Sequence, residues 1–310
     1  MPFDSAYHAP VLATEVTELL RGAHRVLDCT LGGGGHSAAL LESGVEQVVG
    51  IDRDPDALAA ASERLQAFVD DRRFTTVESN YAELAGIPAL TGKTFDGILL
   101  DLGVSSHQLD EAGRGFSFRP GAPLDMRMGP DVSGDAADLL NDSDEGTLAS
   151  IFREYGDEPR AMRLAREVVR RRENRPFVTS DDLVGAIRGA LGPRTGAPEF
   201  ARLFQAVRIA VNDELAGLER ALPALRDRLE PAGTLAIIAY HSGEDRIVKN
   251  AFREWSAACI CPPRQPICTC RGRPLGTTLT KRAVSASEQE KAQNPRARSA
   301  RLRAWRSASR

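Results

Sequence analysis

The chain has 310 residues, 42% hydrophobic and 27% charged, with a formal net charge of −3. That length holds about two domains at ~150 residues each, and the composition is that of a soluble globular chain. No apolar run approaches the ~18 residues that cross a bilayer. Met1-Pro2-Phe3-Asp4 carries neither the basic nor the apolar segment of a signal peptide. Membrane-spanning and secreted classes are thereby disfavoured, and a cytoplasmic protein is expected.

Taken in order, Leu12, Val16, Leu19 and Leu20 recur at helical spacing and predict an opening amphipathic helix. Arg25-Val26-Leu27-Asp28 reads as a strand leading into four glycines, Gly32 to Gly35, then a helix over Ser37–Ser43 stopped at Gly44. A second strand, Val48–Ile51, ends in Asp52. Asp54-Pro55 caps and opens a helix with Leu58, Ala61, Leu65 and Phe68 on one face. Phe74–Val77 is a third strand, ending near Ser79-Asn80-Tyr81. Phe95–Asp101 is a fourth, apolar enough for the centre of a parallel sheet.

There the alternation stops. The next strand, Thr234–Tyr240, is entered through a turn at Pro231-Ala232-Gly233, after 132 intervening residues. A βαβ unit needs only ~30. Inside the gap, Ala136–Leu140, Glu145–Tyr155, Pro159–Arg172 and Ser180–Leu191 predict helices. A longer helical pattern, Phe200 to Leu218, restarts at Pro223. The expected architecture is α/β: a Rossmann-like sheet built from residues 1–109 and 201–310, interrupted by an inserted helical subdomain at 110–200. A helix at Glu244–Trp255, a cysteine segment and a basic stretch complete the chain.

The net charge hides an asymmetry. Arg264 to Arg310 contains 12 Lys/Arg against Glu288 and Glu290, a local +10, which leaves −13 for the rest. A basic tail on an acidic body points to a polyanion such as RNA, with a solvated, disordered tail as the plainer alternative. Four of the five cysteines cluster as Cys259-x-Cys261-x6-Cys268-x-Cys270. They are a candidate zinc site, although C-x-C departs from the usual C-x2-C spacing; reduced, partly buried thiols are the alternative.

Strand, glycine turn, helix, strand and terminal acid is the layout of a site for a nucleoside-bearing cofactor. Glycines admit the ligand to the backbone, and Asp52 accepts hydrogen bonds from ribose hydroxyls. A dinucleotide fingerprint would read Gly32, Gly34 and then a third glycine, but Ser37 stands there. With Asp28 ending the first strand, the pattern favours S-adenosylmethionine and a class I methyltransferase. A nicotinamide-dependent oxidoreductase is the rival enzyme, and a non-catalytic RNA-binding ribosome-assembly factor the rival of another class.

The run Asp101-Leu102-Gly103-Val104-Ser105-Ser106-His107-Gln108-Leu109-Asp110, with Phe116-Ser117-Phe118 and Pro123-Leu124-Asp125-Met126-Arg127-Met128, closely resembles the RsmH (MraW) family. Members are bacterial small-subunit rRNA cytosine-N4 methyltransferases. Supporting segments are His8-Ala9-Pro10-Val11-Leu12, Gly34-Gly35-His36-Ser37, Asp52-Arg53-Asp54-Pro55, Phe204-Gln205-Ala206-Val207-Arg208-Ile209, His241-Ser242-x-Glu244-Asp245-Arg246 and Asn294-Pro295-Arg296-Ala297-Arg298-Ser299. Gly243 departs from the family, which more often has Leu, and predicts a looser turn. The resemblance implies cofactor contacts from Gly34, Gly35, His36, Asp52, Tyr81, Asp101 and Gln108. It also implies a helical insert and, as target, the cytidine at the P site of 16S rRNA in the small ribosomal subunit. A monomer and a homodimer are both compatible with the sequence.

Cytosine N4 is a poor nucleophile because its lone pair is delocalised into the ring. Asp101, at the end of the fourth strand, is therefore the candidate catalytic residue, orienting the amine or taking its proton. The D/N-P-P-Y/F motif of many amino-methyltransferases is replaced here by DLGVSS, so service to the cofactor alone is the alternative. Methylation at carbon would need a thiolate, and Cys29 sits too close to the glycine turn for that. His36 contributes either its ring or its main-chain N–H. His107 is expected in solvent, and His241 either in the cytosine pocket or in a structural hydrogen bond. Arg119, Asp125 and Arg127 are expected to help close the substrate pocket. Arg163, Arg166, Arg170, Arg171, Arg172 and Arg175 make a second basic surface, for phosphates or merely solvent-facing.

Overall fold

The computed structural model describes residues 10–105, 108–109, 111–262, 264–265 and 267–309. The calls on His8, Ala9, Ser106, His107 and Asp110 fall outside them. The chain divides into two compact units, Met1–Gly103 with Leu215–Arg310, and Val104–Glu214. The divisions lie at 103/104 and 214/215 where the sequence suggested 109/110 and 200/201. Helix Ala197–Asn212 goes with the second unit because Phe200, Leu203, Phe204 and Val207 are buried in that unit's core.

The first unit is a seven-stranded sheet. Its strands are β1 (Arg25–Asp28), β2 (Gln47–Asp52), β3 (Phe74–Glu78), β4 (Phe95–Asp101), β5 (Leu229–Ala239), β6 (Gly276–Thr278) and β7 (Arg301–Ser307). Their order is β3-β2-β1-β4-β5-β7-β6. The first five are mutually parallel, with Asp28 level with Gly50 on one side and Leu99 on the other. β7 runs antiparallel between β5 and β6. Alternate residues face opposite ways along a strand, and the sheet sorts them accordingly. Leu27, Ile98, Leu100, Leu235, Ile237 and Trp305 enter one apolar layer. Val26, Leu99, Ala236, Ile238 and Leu302 enter the other. Helices α1 (Ala13–Leu19) and α2 (Gly35–Glu42) bury Val16, Leu40 and Leu41 in the second layer.

Three expectations change. The predicted helix after Asp54 breaks at Leu65 into α3 (Pro55–Arg64) and α4 (Gln66–Asp70). The turn at Pro231-Ala232-Gly233 is a bulge within β5, with Ala232 at φ 64° while the pairing to β4 shifts register. The basic stretch is not a solvated tail: it forms β7. Leu302, Ala304 and Trp305 are 0% exposed, so the arginines alternate with core residues and were read as charge alone.

The second unit is helical: α5 (Ala136–Asp142), α6 (Glu145–Glu154), α7 (Ala161–Arg172), α8 (Ser180–Leu191) and α9 (Ala197–Asn212). Asp135 and Asp144 cap α5 and α6, each side chain accepting a first-turn N–H, and at the start of α8 Asp182 Oδ2 accepts from Thr179 N at 2.9 Å and from the Thr179 hydroxyl. Leu148, Phe152, Leu164, Val168, Leu183, Ile187 and Leu203 fill the core. Asn212, buried at the end of α9, accepts from Met128 N at 2.8 Å and donates to Met126 O at 2.8 Å. Asp213, at φ 50°, breaks the long helical pattern there. The next helix, α10 (Glu214–Asp227), carries Pro223 inside rather than restarting at it, its buried Leu218, Leu222 and Leu225 keeping one continuous apolar face. α11 (Ser242–Ser256) and α12 (Glu288–Gln293) complete the helices. Among the described residues no helix is long and apolar enough to cross a membrane.

Candidate active site

In an open parallel sheet, ligands bind beyond the carboxyl ends of the strands where strand order reverses. Here that point lies between β1 and β4. The neighbouring strand ends deliver Asp28, Asp52 and Asp101, each the last residue of its strand. Three acids on one sheet edge would repel one another unless each had its own work, and the hydrogen bonds divide that work.

Asp28 is 1% exposed and serves the turn: its Oδ2 accepts from Ser37 Oγ at 2.8 Å and its Oδ1 from Thr30 N at 3.3 Å. Burial pushes its carboxyl above the usual range, partly offset by His36 and Ser37. Ser37 thus occupies the position of the missing third glycine and ties α2 to β1. Gly34 caps α2 at φ 74°, and a Cβ there would meet Ala61 Cβ at 3.1 Å, so both backbone and space demand glycine. Among the described residues no side chain caps that helix end, which leaves the glycine turn as the approach to its first N–H groups.

Asp52 accepts from Gly32 N at 2.8 Å and from Asp54 N at 3.0 Å. One carboxylate thus shapes the glycine turn while standing at the end of β2. Burial pushes it up to about 6, the Asp54 and Gly32 N–H groups opposing less strongly. The end of β3 is tied alongside by Ser79 N donating to Asp52 O at 2.9 Å. Tyr81 follows in the 3-10 turn Tyr81–Gly86, half-buried against the apolar layer.

Asp101 anchors the other side. Its N–H donates to Thr30 Oγ1 at 2.6 Å, and Tyr240 donates its phenol to Asp101 Oδ1 at 2.8 Å. Burial, then the Asp101 charge, pushes the phenol well above its usual range, so it stays a donor. Gly103, at φ 102°, lets the chain turn against the Tyr240 ring, where a Cβ would lie 3.3 Å from Cδ2. His36 is 7% exposed, its Nε2 3.5 Å from Asp101 Oδ2. That is ion-pair range without hydrogen-bond geometry, and neither ring nitrogen makes a hydrogen bond among the described residues. Burial lowers the imidazole pKa, but Asp101 and then Asp28 outweigh it, and the net direction is upward.

The remaining candidates separate by unit. Gln108 lies in the second unit, 7% exposed, accepting from Ser105 N at 3.0 Å. Also in that unit, Arg127 grips Asp125 with two bonds of 2.8 Å, and Arg119 O accepts from Ser180 Oγ at 2.5 Å. The arginines of α7 are largely engaged: Arg166 with Glu145, Arg170 and Arg171 with Glu167, Arg172 with Leu140 O and Ser143 O. His241 takes the structural alternative, its Nδ1 accepting from Gly243 N at 3.2 Å as the cap of α11. Glu244 Oε2 returns the bond to Tyr240 N and His241 N. The turn at Gly243 is therefore closed on both sides rather than loose. Cys29 is 1% exposed, and burial followed by the Asp28 charge pushes its thiol well up, which removes it as a nucleophile.

The roles of Thr30 and Tyr240 escaped the sequence reading. The only signal was position: Thr30 in the turn, Tyr240 at the end of the fifth strand.

The residues present fit an adenosine-bearing methyl donor. A buried imidazole whose nitrogens make no hydrogen bond among the described residues, a glycine turn with no capping side chain among them and a strand-end acid fit that ligand. Removing Asp52 tests the ribose side of that fit. A charged hydrogen bond contributes about 1.5–3 kcal/mol, so Asp52→Ala is expected to weaken S-adenosylmethionine binding about 10- to 100-fold by calorimetry. The wild-type pH profile carries the same signature. The ionised carboxylate is the binding form and its pKa is raised, so affinity is flat above neutrality and falls as pH drops through about 6. Asp52→Asn should abolish that dependence; a profile shared by wild type and variant would remove Asp52 from the ribose site.

A family model described as the MraW methylase family matches residues 5–308. The ribosomal RNA small subunit methyltransferase H of Gemmatimonas aurantiaca is 68% identical over 302 residues, 97% of this chain and 96% of that protein. The protein of the same name from Heliobacterium modesticaldum is 50% identical over 308 residues, 96% of this chain and 97% of its own. On a match that runs nearly from end to end, the chain belongs to the MraW methylase family.

Proposed function

We propose that this methyltransferase moves the methyl group of S-adenosylmethionine to N4 of a cytidine in small-subunit rRNA, in the cytoplasm. The carrying observation is Asp101, a strand-end residue whose N–H is held by the Thr30 hydroxyl and whose carboxylate is held by the Tyr240 phenol, 3.5 Å from the buried His36 ring. Gly34, Gly35, His36 and Asp52 would hold the cofactor, with Tyr81 offering its ring to the adenine and Gln108 assigned by family likeness. When bound, the cofactor supplies an electrophilic methyl group on a sulfonium.

The chain's own groups then answer the weakness of the amine. With Oδ1 of Asp101 engaged by the Tyr240 phenol, Oδ2, which faces His36 Nε2 at 3.5 Å, is the oxygen that would accept from an N–H of the base. Accepting that hydrogen bond orients the N4 lone pair and stabilises the positive charge that builds on nitrogen as the C–N bond forms. The proton lost from N4 passes to the same carboxylate. The target base must leave its stack to reach this edge, so a flipped or loop nucleotide is required. An oxidoreductase is not favoured: Ser37 fills the place of the third glycine with a buried hydroxyl bound to Asp28.

The test is transfer of isotope-labelled methyl from S-adenosylmethionine to purified small subunits and to naked 16S rRNA. Label recovered in N4-methylcytidine is the expected result. Label in 5-methylcytidine, or none with either substrate, would overturn the proposal.

A further inference from the structure

The function leaves the cysteine cluster unused. Between α11 and β6 the chain is fastened at both ends of a loop. Leu275 N donates to Trp255 O at 2.8 Å, and Arg271 reaches Ala257 O at 3.3 Å, Glu254 Oε1 at 3.4 Å and also Glu254 O. Between these ties none of the loop's described residues belongs to the buried core. Its two large apolar side chains, Ile260 and Ile267, are 45% and 75% exposed. A short segment with so little apolar burial needs a cross-link to hold one conformation.

The four thiols converge in that segment. Their sulfurs all lie within 4.8 Å of one another. Cys259–Cys268, Cys261–Cys268 and Cys259–Cys270 are 3.8 Å apart, and Cys268–Cys270 3.4 Å. These separations exceed a disulfide bond of about 2.05 Å. A tetrahedral zinc with Zn–S of about 2.3 Å sets its sulfurs about 3.8 Å apart. Ile260 N also points at Cys270 Sγ from 3.4 Å, the outer-shell N–H that a metal-bound thiolate accepts.

We propose that Cys259, Cys261, Cys268 and Cys270 bind one structural zinc ion that closes this loop beside the β6 edge of the sheet. Four sulfur ligands leave no position open for water, so the ion holds conformation rather than performing chemistry. Its binding would fix the arginine-bearing segment, Arg264, Arg271 and Arg273, in a single arrangement.

The test uses the full chain purified under reducing conditions without chelator. Elemental analysis should find one zinc per chain, and replacement by cobalt should give the visible bands of a tetrahedral tetrathiolate. Cys259→Ser and Cys268→Ser, both at exposed positions, should lose the metal while keeping the wild-type circular dichroism. Chelation of the wild type should open residues 258–271 to limited proteolysis and free four thiols for alkylation. Metal-free protein that shows no cobalt spectrum would overturn the proposal. So would two disulfides in mass spectra of the native chain, or undiminished zinc in both variants.

Discussion

Replacing Asp101 by Asn should slow methyl transfer by about 10²–10⁴-fold in single turnover, the scale of losing a positioned acid–base group. Asn keeps a carbonyl oxygen for the Tyr240 phenol and the same backbone bond to Thr30 Oγ1, so the strand end is expected to stay in place. What it loses is the second anionic oxygen, replaced by an NH2 that cannot accept from the base. Cofactor affinity, measured separately by calorimetry, should change much less than the rate. Tyr240→Phe tests the positioning role in the same assay: a smaller rate loss, falling on the transfer step while cofactor affinity stays at the wild-type value. Near-wild-type turnover in Asp101→Asn would remove this carboxylate from the chemistry and leave it to the cofactor alone.

Deleting the chain from Asn294 onward should abolish cooperative folding rather than merely weaken RNA binding. β7 sits between β5 and β6, and it carries Trp305, which is fully buried. The indole meets Trp255 edge-on at 5.3 Å, lies 6.5 Å from Phe252, and donates its N–H to Ser256 Oγ at 3.1 Å. Trp305→Ala alone is expected to cost about 3–5 kcal/mol, a large part of the 5–15 kcal/mol that typically holds a domain together. Urea titration followed by circular dichroism reads both. A truncated chain unfolding at the wild-type midpoint would contradict the placement of β7. Whether this segment contacts RNA must therefore be tested on exposed charges that leave the strand intact. Lys281, Arg282 and Arg298, changed together to Gln, should lower rRNA affinity and flatten its salt dependence.

The two predictions also mark where sequence reading succeeds. The five parallel strands were legible because each is a short run of apolar or β-branched residues bounded by turn residues. The strand-end acids followed from those boundaries, so Asp28, Asp52 and Asp101 could be placed before any coordinate was known. β7 was hidden because arginine dominates it, and its signal is the alternation Arg301-Leu302-Arg303-Ala304, only four residues long. Charge and burial coexist there since Arg303 folds back onto Asp245, with Nε 2.6 Å from Oδ1. Long-range hydrogen bonds were equally invisible. Nothing local says that Tyr240 reaches Asp101 across 139 positions, or that Ser37 answers Asp28. The C-x-C spacing did not reveal that the four thiols converge, because spacing is a proxy for convergence and here the loop brings the sulfurs within 4.8 Å of one another.

The central claim is that this chain methylates a small-subunit rRNA cytidine at N4. Nucleoside mass spectrometry of small-subunit rRNA from cells with and without the gene tests it most directly. The account predicts that N4-methylated cytidine disappears from the deletion strain, returns with the wild-type gene and does not return with Asp101→Asn. An unchanged N4-methylcytidine signal in the deletion strain would contradict it.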